Sequence, residues 1–147
     1  MEIPTFGERS NQRAYKKRLG AYIIVTRNEH KEMVLIQAPN GAFFLPGGEI
    51  ENDETKEEAI DREMLEELGI KVVIDRYLGQ ADEYFHSNHR NTDFHNPGYF
   101  FVAASWTQVC EPLEEGNGIK WVGISEGIEL LKRGSHKWAV QEWLKQG

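Results

Sequence analysis

The stretch GEIENDETKEEAIDREMLEELGI, residues 48–70, is the part of the sequence that decides the fold. It follows the segment Leu45-Pro46-Gly47-Gly48, which interrupts regular structure because proline and glycine fit poorly in helices and strands. Residues Thr55–Leu68 have a helical composition, and Gly69 stands where a glycine commonly ends a helix. The sequence therefore predicts a glycine loop followed by one helix in the middle of the chain.

This helix has an apolar face beside an acidic one. At about 100° per residue, one arc carries Ile60, Met64, Leu65 and Leu68, and the adjacent arc carries Glu63, Glu66 and Glu67. No lysine or arginine falls on the acidic arc, so we expect its carboxylates to repel each other until a cation binds. Oxygen ligands favour Mg²⁺ or Mn²⁺, although a glutamate-rich helix taken alone is more often a solvated surface.

Strand patterns lie on both sides of the helix. Before it, Ala21–Thr26 and Met33–Gln37 are predicted to form a hairpin, and Phe43–Leu45 a short strand. After it, strands are predicted at Lys71–Ile74, Leu78–Phe85, Tyr99–Ala104 and Lys120–Gly123, with a polar connection from His86 to Pro97. Two terminal helices are predicted at Glu126–Arg133 and His136–Lys145, with Ser125 and Ser135 as N-caps. This order predicts an α/β fold with a mixed sheet covered on its faces.

Composition and charge narrow the class of protein. The chain has 147 residues, and we expect one domain over residues 1–147, with residues 1–18 forming a polar arm or an edge segment. A net charge of −7 argues against a nucleic-acid polymer as partner. No apolar run approaches the ~20 residues of a membrane span, and the default compartment is the cytoplasm. The lone Cys110 is expected to be structural.

Residues 48–70 resemble the Nudix box, a motif in which glycine, five residues, glutamate and seven residues precede Arg-Glu-apolar-any-Glu-Glu-any-Gly-apolar. Every specified position agrees, namely Gly48, Glu54, Arg62, Glu63, Met64, Glu66, Glu67, Gly69 and Ile70. The order of elements also resembles the family's α/β/α sandwich with its loop-helix-loop motif. The resemblance implies a MutT-like hydrolase that uses Mg²⁺ or Mn²⁺.

The resemblance also implies roles for single residues. Glu63, Glu66 and Glu67 would hold the metal, and Glu63 would also be a candidate general base. Arg62 would orient the carboxylates, and Glu54 would brace the motif. We also expect the backbone of Gly47 and Gly48 to approach the substrate closely, with Gly48 near the metal.

A further metal ligand is expected outside the motif. MutT-like enzymes have another glutamate on a loop before a Trp-apolar strand, and Glu115, in EEGNGIKWV, is the best match, with Glu114 as its competitor. One departure from the family concerns phosphate contact. Where MutT-like enzymes often have a basic residue at the end of the strand before the glycine loop, this chain has Gln37.

The expected reaction is cleavage of a pyrophosphate bond in a nucleoside diphosphate linked to another moiety, with nucleoside triphosphates, including oxidised ones, as the leading substrates. Tyr84, Phe85 and Arg90 are candidate substrate contacts, because aromatic rings and guanidinium groups stack on bases. Three nearby histidines, His86, His89 and His95, raise zinc as a minor alternative.

Two other functions compete with hydrolysis. One is a nucleotide-sensing Nudix-fold module without hydrolytic activity, and the other is an acidic protein that only binds other proteins. The sequence is compatible with both a monomer and a homodimer.

Overall fold

The computed structural model describes residues 2–146 as a mixed α/β fold. In chain order, the strands before the first helix are β1 (Thr5–Phe6), β2 (Lys16–Lys17), β3 (Gly20–Ile24), β4 (Thr26–Arg27), β5 (Glu32–Gln37), β6 (Phe43–Phe44) and β7 (Gly47–Glu49). They are followed by α1 (Lys56–Glu67), β8 (Ile70–Ser87), β9 (Thr92–Gln108), β10 (Gly118–Gly123), α2 (Ile124–Leu130) and α3 (Gly134–Gln146). The predicted central helix is therefore present, with Thr55 as its N-cap and Leu68 as its C-cap.

Two sheets form the centre of the fold. The larger has the order β1-β8-β9-β3-β7, with β2 also paired to β9, and it mixes parallel and antiparallel pairs. The smaller has the order β10-β5-β4, with β6 paired to β5. Helix α1 packs against β3, β7 and β8, whereas α3 packs against β8, β1 and β9.

The buried side chains of β3 alternate between two apolar cores. Ala21 and Ile23 join the core that contains Ile60 and Met64 of α1, whereas Tyr22 and Ile24 join the core that contains Ala139 and Val140 of α3. Because successive residues of a strand point to opposite faces, these two cores lie on opposite faces of the sheet. The arrangement is an α/β/α sandwich, as the sequence predicted.

The predicted hairpin of residues 21–26 and 33–37 is only partly correct. The turn at residues 28–30 has positive φ angles, and it joins β4 to β5 in antiparallel pairing. Strand β3 instead lies in the other sheet, between β9 and β7, because the chain changes sheets at Val25. Strand β3 can therefore contact the glycine loop directly.

The polar connection predicted from His86 to Pro97 is wrong. Strands β8 and β9 pair antiparallel all the way to Ser87 and Thr92, so only a short turn joins them. Alternate residues of β9, among them Phe94 and Asn96, are buried on one face of the sheet. Such alternation fixes the register of a strand even where its composition is polar.

The ends of the chain also differ from expectation. Residues 5–6 and 16–17 pair parallel to β8 and β9, so part of the polar segment 1–18 is an edge segment of the sheet. Ser125 and Ser135 lie inside α2 and α3 and are not N-caps. Among residues 2–146, no helix has both the length and the apolar character needed to cross a membrane.

Candidate active site

The glycine loop is held against β3 and α3 by its backbone. The N–H of Ile23 donates to the carbonyl of Pro46 at 3.0 Å, and Gly47 pairs with Tyr22 in antiparallel register. The N–H of Leu45 donates to Nδ1 of His136 at 3.0 Å. Burial lowers the pKa of His136 well below its ordinary value, so the ring is neutral and can accept this hydrogen bond. These contacts fix the loop in front of α1.

Helix α1 begins with two reciprocal hydrogen bonds that set its start. The hydroxyl of Thr55 accepts from the N–H of Glu58 at 3.0 Å, and the Glu58 carboxylate accepts from the N–H of Thr55 at 2.9 Å. Such a capping box satisfies N–H groups that the first turn leaves free. Just before the helix, Glu54 accepts from the N–H of Glu51 at 2.8 Å and so closes the preceding turn.

Arg62 connects the loop to the acidic face of the helix. Its Nε donates to Glu54 at 2.6 Å, and its Nη2 donates to Glu54 at 3.0 Å and to the carbonyl of Glu49 at 3.0 Å. Its Nη1 donates to Glu63 at 2.8 Å and to Glu66 at 3.3 Å. The inference that no basic side chain pairs with the acidic face is therefore wrong, because a long arginine side chain reaches across from the neighbouring arc.

One group of carboxylates has the spacing of a cation site. Single oxygens of Glu63, Glu66 and Glu114 all lie within 4.8 Å of one another. The N–H of Glu114 donates to the carbonyl of Glu66 at 2.8 Å, which ties the loop after β9 to the end of α1. The loop glutamate in this group is thus Glu114, whereas the sequence favoured Glu115. This backbone hydrogen bond holds Glu114 beside the end of α1.

Glu67 lies beside this group and faces the glycine loop. Its Oε1 accepts a hydrogen bond from the N–H of Gly47 at 2.8 Å. Burial raises the pKa of Glu67 well above its ordinary value, and repulsion from Glu63 adds to this increase. Burial likewise raises the pKa of Glu63 to about 7, despite the opposing effect of Arg62. Two carboxyl groups of α1 are therefore costly to ionise while no cation is bound.

These raised pKa values predict how the stability of the metal-free protein depends on pH. A carboxyl group with a folded pKa above its unfolded value stabilises the fold below the unfolded pKa, and this contribution is lost as the pH rises through the folded pKa. We expect the free energy of unfolding in EDTA to fall between pH 5.5 and 8. We expect Glu63→Gln to reduce this fall by about 1–2 kcal/mol, less than the full shift because water partly reaches the carboxylate. Urea unfolding at pH 5.5 and at pH 8 measures the free energy of unfolding of both proteins. An equal fall between the two pH values in the wild type and in Glu63→Gln would contradict the prediction.

A cavity of about 200 Å³ opens between the glycine loop and the start of α3. Gly47, Gly48 and Glu67 line one side, and Arg18, Phe44 and Arg133 line another. At Gly48 an added Cβ would stand 2.9 Å from a carboxylate oxygen of Glu63, so the absence of a side chain lets the loop lie against this carboxylate. Gly48 therefore lines the cavity and also lies next to Glu63.

The predicted aromatic contacts do not line this cavity. Tyr84 stacks on His95 with 4.5 Å between ring centroids, and Phe85 packs against Phe94 at 5.5 Å. Arg90 lies over the ring of Phe94. Gln37, which stands where a basic residue is common, donates to the carbonyl of Gly41 at 3.2 Å and lines no part of the cavity. The basic residues that do line it, Arg18 and Arg133, were not identified from the sequence.

Two of the three histidines, one in β8 and one in β9, each lie beside one carboxylate. Nδ1 of His86 is 2.9 Å from Asp93, and Nε2 of His95 is 2.8 Å from Asp82. In residues 2–146, the one group of three or more potential metal-ligating side chains at close spacing is that of Glu63, Glu66 and Glu114. The geometry therefore gives no support to the zinc alternative.

The sequence and the fold of the chain are similar to those of known proteins. The family model of the NUDIX domain matches residues 16–144. The chain is 29% identical over 139 residues to a diphosphoinositol polyphosphate phosphohydrolase 3-alpha of Mus musculus, covering 90% of this chain and 77% of that one. It is 30% identical over 106 residues to a putative 8-oxo-dGTP diphosphatase of Bacillus subtilis, covering 70% of this chain and 64% of that one.

A crystal structure of a MutT NUDIX hydrolase from Burkholderia pseudomallei has a similar fold. Its TM-score is 0.65 at 24% identity, and the match covers 86% of this chain and 98% of that one. Three curated relatives from Streptomyces ambofaciens and Arabidopsis thaliana are longer. This chain spans 36%, 62% and 60% of their lengths.

Proposed function

The chain belongs to the Nudix family, and we propose that it is a divalent-metal-dependent hydrolase that cleaves the pyrophosphate bond of a nucleoside diphosphate linked to another moiety. The observation that carries this proposal is the group formed by Glu63, Glu66 and Glu114, whose carboxylate oxygens lie within 4.8 Å of one another. Oxygen ligands at this spacing suit Mg²⁺ or Mn²⁺. The cavity lined by Gly47, Gly48 and Glu67 has room for part of a substrate.

Each residue of the site has a proposed part in the reaction. Glu63, Glu66, Glu67 and Glu114 would hold the metal, which when bound neutralises phosphate oxygens and lowers the pKa of an attacking water. Glu63, the general base that the family resemblance implies, would take the proton of that water. Arg62 and Glu54 would keep the carboxylates in place through their hydrogen bonds. The backbone of Gly47 and Gly48 would border the bound phosphates.

Nucleoside triphosphates, including oxidised ones, are the substrates that we propose first. The Bacillus subtilis relative carries the name of a putative 8-oxo-dGTP diphosphatase, and triphosphates contain the required anhydride bond. The murine relative carries the name of a diphosphoinositol polyphosphate phosphohydrolase, so diphosphorylated non-nucleoside compounds form the second group to test. We propose that the protein acts without a nucleic-acid polymer or a membrane, in the cytoplasm, as a monomer or a homodimer.

A phosphate-release screen tests the proposal directly. It would compare nucleoside triphosphates, nucleotide sugars, ADP-ribose, dinucleoside polyphosphates and non-nucleoside diphosphates, each with Mg²⁺, with Mn²⁺ and with EDTA. We expect metal-dependent release from at least one group. Nucleotide binding without any turnover would favour the sensing module instead, and absence of both metal and nucleotide binding would favour a protein that only binds other proteins.

The two loop glutamates give the first matched pair of variants. We expect Glu114→Gln to lower metal-dependent turnover by about tenfold or more, because a metal ligand near Glu63 and Glu66 is lost. We also expect it to raise the Mg²⁺ concentration needed for half-maximal rate. Titration of Mg²⁺ at fixed substrate measures both effects.

Glu115→Gln is the matched control, because it removes the same charge from the next residue of the same loop. We expect this variant to keep a wild-type rate and a wild-type Mg²⁺ requirement. The opposite ranking, with Glu115 sensitive and Glu114 tolerant, would show that the loop turns the other way when metal is bound.

A further inference from the structure

Three arginine side chains surround one aromatic pair next to the candidate active site. Phe85 and Phe94 pack with 5.5 Å between ring centroids. The guanidinium carbon of Arg133 lies 3.8 Å from the centroid of Phe85, while those of Arg18 and Arg90 lie 5.9 and 6.0 Å from the centroid of Phe94. In a chain with a net charge of −7, this is a local concentration of positive charge.

Arg133 is a partly buried cation that no carboxylate neutralises by direct contact. Its guanidinium lies between the rings of Phe44 and Phe85, at 4.9 and 3.8 Å from their centroids. It donates to the neutral side chain of Asn96 at 3.4 Å and lies close to the hydroxyl of Tyr22, and no ion pair involves it in the described part of the chain. Burial lowers the pKa of Arg133, which reflects the cost of keeping this charge away from water. An anion at this point would offset that cost.

Arg18 has a buried donor, its Nε, that makes no hydrogen bond within residues 2–146. Glu49 forms an ion pair with Arg18, and its carboxylate oxygen lies 3.4 Å from this Nε, but without hydrogen-bond geometry. An unpaired buried N–H is unfavourable, and a guanidinium is the side chain best shaped to bind a phosphate or carboxylate.

Both arginines line the cavity that also contains Gly47, Gly48 and Glu67. We propose that Arg18 and Arg133 bind an anionic group of the substrate, a phosphate or a carboxylate, that is not part of the scissile pyrophosphate. The use of this subsite in catalysis rests on the proposed pyrophosphate hydrolysis, whereas binding of an anion to it does not. The substrate class is thereby narrowed to pyrophosphates that carry at least one further negative group, such as a third phosphate.

Two nearby carboxylates leave Arg133 without an ion-pair contact. Glu83 is buried and attracts Arg133, which partly offsets the effect of burial on the pKa of that guanidinium, but the two form no ion pair in contact, and Glu83 Oε1 accepts the N–H of Ser135 at 3.0 Å. Glu49 pairs with Arg18 alone and is more exposed than its partner. Arg133 therefore has no counter-ion in contact. Packing against Phe44 and Phe85 alone does not require a charged side chain.

Anion binding is measured on the full chain in EDTA, so that neither metal nor turnover contributes. We expect 20 mM inorganic phosphate to raise the melting temperature by about 2–4 °C over sodium chloride of equal ionic strength. Malonate, tested in parallel, reports on carboxylates. We expect Arg133→Met, which keeps an apolar side chain between the rings, and Arg18→Gln each to lose more than half of the shift. Arg76→Gln, which changes a partly exposed arginine on β8 outside this cavity, is the charge-matched control and should keep the shift.

The proposal is supported if phosphate, malonate or both raise the melting temperature, and if this increase is lost in the two cavity variants and kept in Arg76→Gln. The anion that raises the melting temperature identifies the group that binds. The absence of any shift, or equal shifts in all variants, overturns it. If Arg133→Met does not fold, Arg18→Gln decides alone. With an active substrate, Arg133→Met should raise KM about tenfold and change kcat less than threefold. Anion binding without turnover in the wild type would instead contradict the proposed hydrolysis alone.

Discussion

Glu67→Gln is expected to lower metal-dependent turnover by about 10²–10⁴-fold while leaving the metal-free fold at least as stable as the wild type. The carbonyl oxygen of glutamine can still accept the N–H of Gly47, which Glu67 Oε1 accepts at 2.8 Å. The charge, however, is lost, and with it the attraction for a cation. Since burial and the repulsion from Glu63 raise the pKa of Glu67, removing its charge should not destabilise the protein.

Two measurements separate the parts of this prediction. The value of kcat/KM with saturating Mg²⁺ reports on the reaction, and the melting temperature in EDTA at pH 8 reports on the fold. The control is Glu57→Gln, which removes an exposed negative charge from the first turn of the same helix. We expect wild-type turnover and a small loss of stability there, because acidic residues favour helix N-termini. If Glu67→Gln kept more than a third of the wild-type kcat/KM, the proposal that Glu67 holds the metal would be wrong.

The sequence predicted the centre of this site better than its edges. Residues 48–70 fix their own local structure, because a capping box, helical periodicity and a closing glycine all act over short distances. The acidic face could therefore be predicted from the order of residues alone. Helical periodicity did not predict that Arg62 pairs with the carboxylates of the acidic face. It gives the direction in which a side chain leaves the helix, but not how far a long side chain reaches.

The residues that the sequence did not reveal come from the ends of the chain. Arg18 precedes β3 and Arg133 precedes α3, and only the docking of α3 against β8, β1 and β9 brings them to one cavity. Likewise, the choice of Glu114 over Glu115 depends on a hydrogen bond to the carbonyl of Glu66 in another element. Long-range pairing also explains the missed length of β8 and β9, since polar residues in strands are held by their partners across the ladder.

Gly47→Ala is the substitution from which we expect the largest loss of stability. At Gly47 φ is +138°, a conformation that residues with a side chain rarely adopt. An added Cβ would stand 2.2 Å from the carbonyl oxygen of Ala21 and 2.7 Å from Cα of Tyr22, and both atoms belong to the backbone of the central strand β3. Because this backbone cannot move aside without disturbing both cores, we expect the free energy of unfolding to fall by about 3 kcal/mol or more.

Two other glycines separate the causes of that loss. Gly116 has φ of +97° with nothing within 4 Å of an added Cβ, so Gly116→Ala reports the backbone strain alone, about 1–2 kcal/mol. Gly48→Ala meets chiefly the movable carboxylate of Glu63, so we expect it to reduce turnover more than stability. Urea unfolding in EDTA measures all three proteins. If Gly47→Ala cost no more than Gly116→Ala, the loop would not be pressed against β3, and the placement of Gly47 beside Glu67 would lose its structural basis.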